Sequence, residues 1–133
     1  PKTPKPLASE NKIEIMASHD GYSRLSGRPI HQRQWGFTHD EIKIEDQVLG
    51  SGFHIVKIYF PIHPDFNVKI MPNGLARFFG NELTINMSIE GLGDMFFEKS
   101  AYCPEFGMSI ENVTVVYTIS GLLPIKVTTR IKL

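Results

Sequence analysis

Imidazole, guanidinium and aromatic side chains crowd into one short stretch of the sequence, residues 18–35. Its chemistry-bearing side chains are His19, Tyr22, Arg24, His31 and Arg33. Asp20-Gly21 signals a turn here, because glycine accepts a positive φ and an aspartate side chain can hydrogen-bond its own backbone. Apolar-patterned runs flank the turn, so we expect the cluster on two adjoining strands and their connection. Such a cluster suits an acidic sugar, a metal ion or a structural lock between strands.

The run after the turn favours a structural role for Arg33. Alternation along a strand places four side chains of this run on one face: His31, Arg33, Trp35 and Phe37. A face that carries Trp35 and Phe37 is normally directed toward a core. We therefore expect Arg33 to be half-buried, stacked on an aromatic ring or paired with a carboxylate. The candidate carboxylates are Asp20, Glu45 and Asp46. Direct ligand binding by Arg33 stays open as the alternative.

The sequence carries no complete catalytic or metal-binding motif of its own. Zinc needs three or four ligands, and the five histidines form no closely spaced pair, so a metal at His19 would need co-ligands from outside this chain. Neighbouring Glu45 and Asp46 point to opposite sides of a strand and cannot act as a glycosidase pair. No nucleophile elbow or phosphate loop occurs. The single cysteine, Cys103, is interpreted as a small packed residue. We expect no cofactor held by this chain alone.

Length and composition indicate one globular domain. The chain has 133 residues, 41% of them hydrophobic and 21% charged. A formal net charge of zero argues against a nucleic-acid partner, which requires broad phosphate neutralisation. No apolar run approaches the roughly 18 residues of a membrane helix, so no membrane partner is expected. Residues 1–10 begin with a Pro- and Lys-rich stretch and are predicted to be a flexible linker, and residues 11–133 the folded domain.

The remainder of the sequence is patterned as short strands. Its 15 isoleucines and 4 alanines favour strand over helix. Alternating apolar and polar residues recur in runs separated by Gly and Pro, and we count about ten such runs. The pattern predicts an all-β fold, an antiparallel two-sheet β-sandwich of about ten strands with little or no helix. A closed barrel is the less favoured alternative.

Three turn signals predict hairpins. Pro72-Asn73-Gly74 separates two alternating runs and is the most specific of the three. Gly50-Ser51-Gly52 is interpreted as a second hairpin turn. The stretch Ser120–Pro124 is predicted to close a final hairpin near the end of the chain.

Several segments occur in the order found in one known domain family. They are Ser18–Tyr22 with Arg24-Leu25, His31-x-Arg33-x-Trp35, Ile44-x-Asp46, Phe60–Pro64, and Ser100–Tyr102 with Phe106–Met108. In this order they resemble the C-terminal domain of heparinase II/III-like polysaccharide lyases, over about residues 11–133. That family carries a His-x-His motif ahead of these segments, and this sequence lacks it.

The resemblance implies a non-catalytic β-sandwich domain of an enzyme that cleaves acidic, uronate-containing polysaccharides by β-elimination. The family's catalytic residues belong to an N-terminal helical toroid, so the expected partners are that toroid and an acidic polysaccharide. The resemblance makes His19 a candidate zinc ligand in the full-length parent, with the other ligands outside this chain. It makes Tyr22, Arg24 and Arg33 the residues that touch or frame the glycan. A periplasmic or extracellular location is favoured by the same resemblance.

A second class of function stays open beside the lyase interpretation. The same fold would serve a stand-alone carbohydrate-binding or cell-envelope polysaccharide assembly module without lyase activity. An exposed apolar patch of several hundred Å² would favour the lyase domain, because such a patch marks a surface that another domain covers.

Overall fold

The computed structural model describes residues 12–15, 27–103 and 105–132, and within them the chain is all-β without a helix. The strands are β1 Lys12–Ile15, β2 Ile30–Phe37, β3 Glu41–Leu49, β4 Phe53–Ile62, β5 Asn67–Met71, β6 Leu75–Gly80, β7 Leu83–Glu90, β8 Asp94–Tyr102, β9 Ile110–Leu122 and β10 Ile125–Lys132. In the same residues no helix has the length and apolarity needed to cross a membrane.

The strands form two sheets. The larger sheet is antiparallel, with six strands in the order β2-β3-β10-β7-β6-β5. The smaller sheet has the order β1-β4-β9-β8, in which β4, β9 and β8 are antiparallel and β1 runs parallel to β4. The prediction of an all-β fold with two antiparallel sheets is confirmed. Nine strands pair in antiparallel fashion, so the predicted count of about ten antiparallel strands is one too high.

One cluster of buried side chains draws on both sheets. The smaller sheet contributes Val56, Ile58, Val115 and Tyr117, and the larger contributes Val48, Ala76, Phe78, Met87, Ile89, Ile125 and Val127. These residues alternate with exposed or half-buried ones along most of their strands, as the two-residue period of a strand requires. Buried side chains of both sheets therefore belong to one core cluster, and we call the sheet faces that contribute to it the inner faces and the opposite ones the outer faces.

The hairpin predicted at Pro72-Asn73-Gly74 is confirmed. It joins β5 to β6, with Met71 opposite Leu75 across the turn. Asn73 and Gly74 both take a positive φ, 66° and 71°, which these two residue types adopt more readily than any other. A cross-strand bond from the Ile89 amide to the Gly74 carbonyl, 2.8 Å long, anchors the turn to β7.

The two other predicted hairpins are wrong, because each turn carries the chain from one sheet to the other. Gly50-Ser51-Gly52 leads from β3 in the larger sheet to β4 in the smaller, and Ser120–Pro124 lies where β9 returns to β10. The two crossings touch, since the Leu123 amide donates to the Gly52 carbonyl at 2.9 Å. The expectation that adjoining strands flank the predicted Asp20-Gly21 turn is also wrong, because β1 and β2 belong to different sheets. The turn itself lies outside the described residues.

Candidate functional site

The pairing of β2 with β3 assembles the polar cluster on the inner face of the larger sheet. The two strands are antiparallel, and their register sets Arg33 directly opposite Asp46 and His31 opposite Val48. Alternate residues of a strand share a face, so His31, Arg33 and Asp46 all point inward. We refer to these three residues as the Asp46 cluster.

Asp46 is the centre of this cluster. Its Oδ1 accepts hydrogen bonds from Arg33 Nε and from His31 Nε2, both at 2.7 Å, and its Oδ2 accepts one from an Arg33 terminal nitrogen at 3.2 Å. Asp46 is 1% exposed and His31 4%. A carboxylate can only accept hydrogen bonds, so His31 Nε2 is the donor in its hydrogen bond to Asp46. The His31 Nδ1 is buried and has no hydrogen-bond partner among the described residues.

Trp35 and Phe37 follow Arg33 on the same face but do not enter the core. They are 55% and 70% exposed, so the prediction that this face is directed toward the core is wrong beyond Arg33. The physical reason is the position of β2 at the edge of the six-stranded sheet, where β3 is its neighbour on one side and no described strand pairs with it on the other. The two rings are parallel within 4°, with their centroids 6.2 Å apart.

Arg33 connects the buried carboxylate to these exposed rings. Its guanidinium carbon lies 5.6 Å from the Trp35 ring centroid while its Nε is bonded to Asp46. The side chain is 10% exposed. Both expected interactions of Arg33, stacking on an aromatic ring and pairing with a carboxylate, are therefore confirmed. Contact of Arg33 with a glycan stays a prediction.

The Asp46 cluster makes stability depend on pH. Burial raises the pKa of Asp46, but the hydrogen bonds from His31 and Arg33 outweigh it and bring the pKa below its usual range. A depressed folded-state pKa adds stability above the unfolded-state value of about 4, and this stability is lost as the pH falls through the folded-state value. We expect the free energy of unfolding to fall in that acid range, and to fall less steeply in Asp46→Asn. Urea titrations at stepped pH measure this, and parallel curves for the two proteins would contradict it.

The other site residues predicted from the sequence, His19, Tyr22 and Arg24, lie outside the described residues. Their roles stay predictions. Within the described ranges, no group of three or more His, Cys, Asp or Glu side chains could hold a metal ion. Cys103 is exposed, so the expectation that it packs into the protein is wrong.

Sequence reasoning missed a second polar network, on the outer face of the smaller sheet. Asn112 Nδ2 donates to the Ile62 carbonyl at 2.8 Å, and Ser100 Oγ donates to Asn112 Oδ1 at 2.7 Å. Because one hydroxyl has a single hydrogen, Thr114 must be the donor in its 2.7 Å bond to Ser100. The network fixes three strands together, and the only signal for it in the sequence is polar residues two apart on a strand.

Two of the sequence segments that resemble the family, Phe60–Pro64 and Ser100–Tyr102, meet beside this network. The His63 and Tyr102 rings lie 5.0 Å apart and are tilted by 60°. His63 follows the last residue of β4, and Tyr102 ends β8. These segments are 39 positions apart in the chain, and β9 brings them together because it pairs with both strands.

An open groove of about 530 Å³ lies between the β5–β6 turn and the β7–β8 connection. Its lining includes the apolar residues Ile70, Ile89 and Met95 and the carboxylate-bearing residues Glu90 and Asp94. The buried Tyr117 hydroxyl accepts a 2.8 Å hydrogen bond from the Gly93 amide at its base. Burial raises the pKa of Tyr117, which keeps the hydroxyl protonated. The carboxylates would repel an acidic glycan, so the groove is a poor site for one.

The family of the chain follows from comparison with known proteins. No curated protein matches it. The family model for the heparinase II/III-like C-terminal domain matches residues 3–132, which is almost the whole chain. The match extends over both sheets and includes the Asp46 cluster, the Trp35–Phe37 pair and the Asn112 network. The chain therefore belongs to the heparinase II/III-like C-terminal domain family.

Proposed function

We propose that the chain is the C-terminal β-sandwich domain of a heparinase II/III-like polysaccharide lyase, and that it supports the cleft without catalysing the reaction. The match of the family model to residues 3–132 carries this proposal. The buried cluster drawn from both sheets supports the sandwich. The full-length enzyme would cleave acidic, uronate-containing polysaccharides by β-elimination, in which a base removes the proton beside a charge-neutralised uronate carboxylate.

The outer face of the smaller sheet supports a domain partner. The large apolar side chains on it that are at least 39% exposed include Phe53, Ile55, Phe96 and Leu122. The pairing of β4 with β9 and of β9 with β8 sets all four on one face. We name these four residues the apolar face. Exposed apolar side chains gathered on one face of a sheet support an interaction site there, and the occupant we propose is the N-terminal helical toroid of the same protein.

The Asp46 cluster has a positioning role in this proposal. Arg33 donates two hydrogen bonds to Asp46. Its proposed role is therefore to frame the glycan site by orienting Trp35, and not to bind a uronate carboxylate by itself. Tyr22 and Arg24 are the proposed direct contacts to the acidic polysaccharide. A zinc ion at His19 would take its other ligands from outside this chain, and no step of the reaction is assigned to it.

The Trp35–Phe37 pair favours a second candidate function. Parallel, exposed rings held beside a fixed guanidinium offer a flat apolar platform, which suits the C–H face of a sugar ring. A stand-alone carbohydrate-binding or polysaccharide assembly module would use such a platform without any lyase domain.

Product release distinguishes the two functions. We expect the natural protein that carries this domain to release unsaturated uronate from an acidic polysaccharide, detected by its ultraviolet absorbance, and the chain of 133 residues to release none. Phe53→Ser combined with Ile55→Ser is expected to lower the rate of the natural protein at least several-fold, because it removes apolar area from the docking surface.

The matched control is Leu92→Ser, which also removes an exposed apolar side chain but lies in the β7–β8 connection, away from the apolar face. It should leave the rate unchanged. Glycan binding by the natural protein without any product would overturn the lyase proposal in favour of the binding module. Equal losses in the control and in the double variant would overturn the docking role of the apolar face.

A further inference from the structure

The outer face of the larger sheet concentrates positive charge in a chain whose formal net charge is zero. Strand alternation and register direct six cationic side chains outward: Lys43, Lys69, Arg77, Lys126, Arg130 and Lys132. We name these residues the basic face. Three carboxylates share the strands of this face, namely Glu41, Glu45 and Glu90. The face therefore carries an excess of three positive charges.

Ion pairs occupy the part of the basic face near β3 and β10. The Glu45 carboxylate forms ion pairs with Lys43 at 2.9 Å and with Lys126 at 3.1 Å. Arg130 bridges Glu41 at 3.0 Å and Glu90 at 3.1 Å. These pairs neutralise part of the positive charge, but three carboxylates cannot neutralise six cations.

The unneutralised charge is concentrated on the β5–β6 hairpin. Lys69 and Arg77 lie directly opposite each other in its register. Arg77 Nε donates at 2.8 Å to the Asn86 side-chain oxygen, a neutral acceptor that orients the guanidinium without cancelling its charge. Lys43 and Arg130 form a second directly opposed pair of cations, on β3 and β10. Like charges opposite each other destabilise a sheet. Carboxylates already pair with Lys43 and Arg130, so an external anion would chiefly relieve the repulsion between Lys69 and Arg77.

We propose that the basic face binds an extended segment of acidic polysaccharide, at a surface separate from any catalytic cleft. The identity of the polymer rests on the proposed function. The cations extend from β3 to β5 across four strand spacings, which is roughly 20 Å at about 4.8 Å per spacing. A single small anion cannot span that distance, whereas a polymer with a carboxylate on successive sugars meets the cations in turn. Exposed amides of Gln32, Gln34 and Gln47 border the face and suit sugar hydroxyls.

The basic face and the apolar face can be occupied together. They are the outer faces of different sheets, and the two sheets share one buried core between them. A domain docked on the smaller sheet would thus leave the larger sheet open to solvent. The basic face would hold a distal part of the same polysaccharide chain and raise its local concentration near the cleft.

Calorimetry with an oligomer of galacturonate tests this proposal on the full chain. We expect the Lys69→Gln, Arg77→Gln double variant to bind about 5- to 30-fold more weakly at low salt, with a shallower salt dependence, because two charge contacts are lost. The control is Lys57→Gln, Lys99→Gln, which removes the same charge from strands of the smaller sheet and should bind normally. Amide chemical shifts of the unaltered chain, titrated with the same oligomer, should move on β5, β6 and β10.

The outcomes separate this proposal from the proposed function. Equal affinity of the two double variants for the oligomer, or amide chemical-shift changes confined to the smaller sheet, would overturn the proposal that the basic face binds the polysaccharide. So would tighter binding of single-stranded DNA of equal charge, which would show a preference for another polyanion. If the oligomer does not bind but the natural protein still releases unsaturated uronate, only the basic face fails. If neither occurs, the proposed function fails as well.

Discussion

Replacing Asp46 by alanine is expected to destabilise the protein by about 3–5 kcal/mol, because it removes the acceptor shared by two inward-facing donors. His31 is 4% exposed and Arg33 is held by two hydrogen bonds to this one carboxylate. Both donors would lose their acceptor in a site that is largely shielded from water. Urea unfolding followed by tryptophan fluorescence measures the change, and Trp35, the single tryptophan, lies next to the site.

The matched control is Glu45→Ala, one residue away on the same strand. Glu45 points to the outer face, where Lys43 and Lys126 pair with it in contact with solvent. Water replaces those partners when the carboxylate is removed, so this variant should unfold close to the unaltered protein. A loss as large as that of Asp46→Ala would show that the burial of the cluster contributes little to its effect.

Truncation of Tyr117 to alanine is expected to cost about 3–5 kcal/mol, the range for removing a buried aromatic ring. Tyr117 is 1% exposed and belongs to the cluster shared by both sheets. Its ring also leaves room only for glycine at position 93 of the β7–β8 connection, because a Cβ added there would lie 2.7 Å from the Tyr117 ring. The same urea experiment measures the loss.

Tyr117→Phe separates the ring from the hydroxyl. It keeps the packing and removes only the acceptor for the Gly93 amide, so we expect a loss of about 1 kcal/mol. If the phenylalanine variant were as unstable as the alanine variant, the hydrogen bond to the connection, and not burial of the ring, would be the main contribution of this residue.

Features with a local cause could be predicted from the sequence. The period of two, together with abundant isoleucine, predicted an all-β fold because side-chain alternation is a property of each strand by itself. The β5–β6 hairpin was predicted because Asn73 and Gly74 tolerate the positive φ that its turn requires. The pairing of Arg33 with a carboxylate was predicted from charge and position, although three candidate carboxylates were open.

Features that depend on which strands become neighbours could not be predicted. A Gly-rich turn such as Gly50-Ser51-Gly52 reverses the chain equally well within a sheet or between sheets, so the crossings were mistaken for hairpins. The register of β2 on β3 then selected Asp46 from the candidate carboxylates. The distant segments at His63 and Tyr102 met only because β9 pairs with both β4 and β8.

Residues 18–37 show most clearly which features the sequence determined and which the tertiary structure decided. By itself the sequence determined their residue types, the alternation that puts His31, Arg33, Trp35 and Phe37 on one face, and the family resemblance. Tertiary structure decided that the first two are hydrogen-bonded to a buried carboxylate while the two rings are exposed to solvent. The physical reason is that alternation assigns side chains to a face, whereas burial depends on how far the opposing sheet extends over that face.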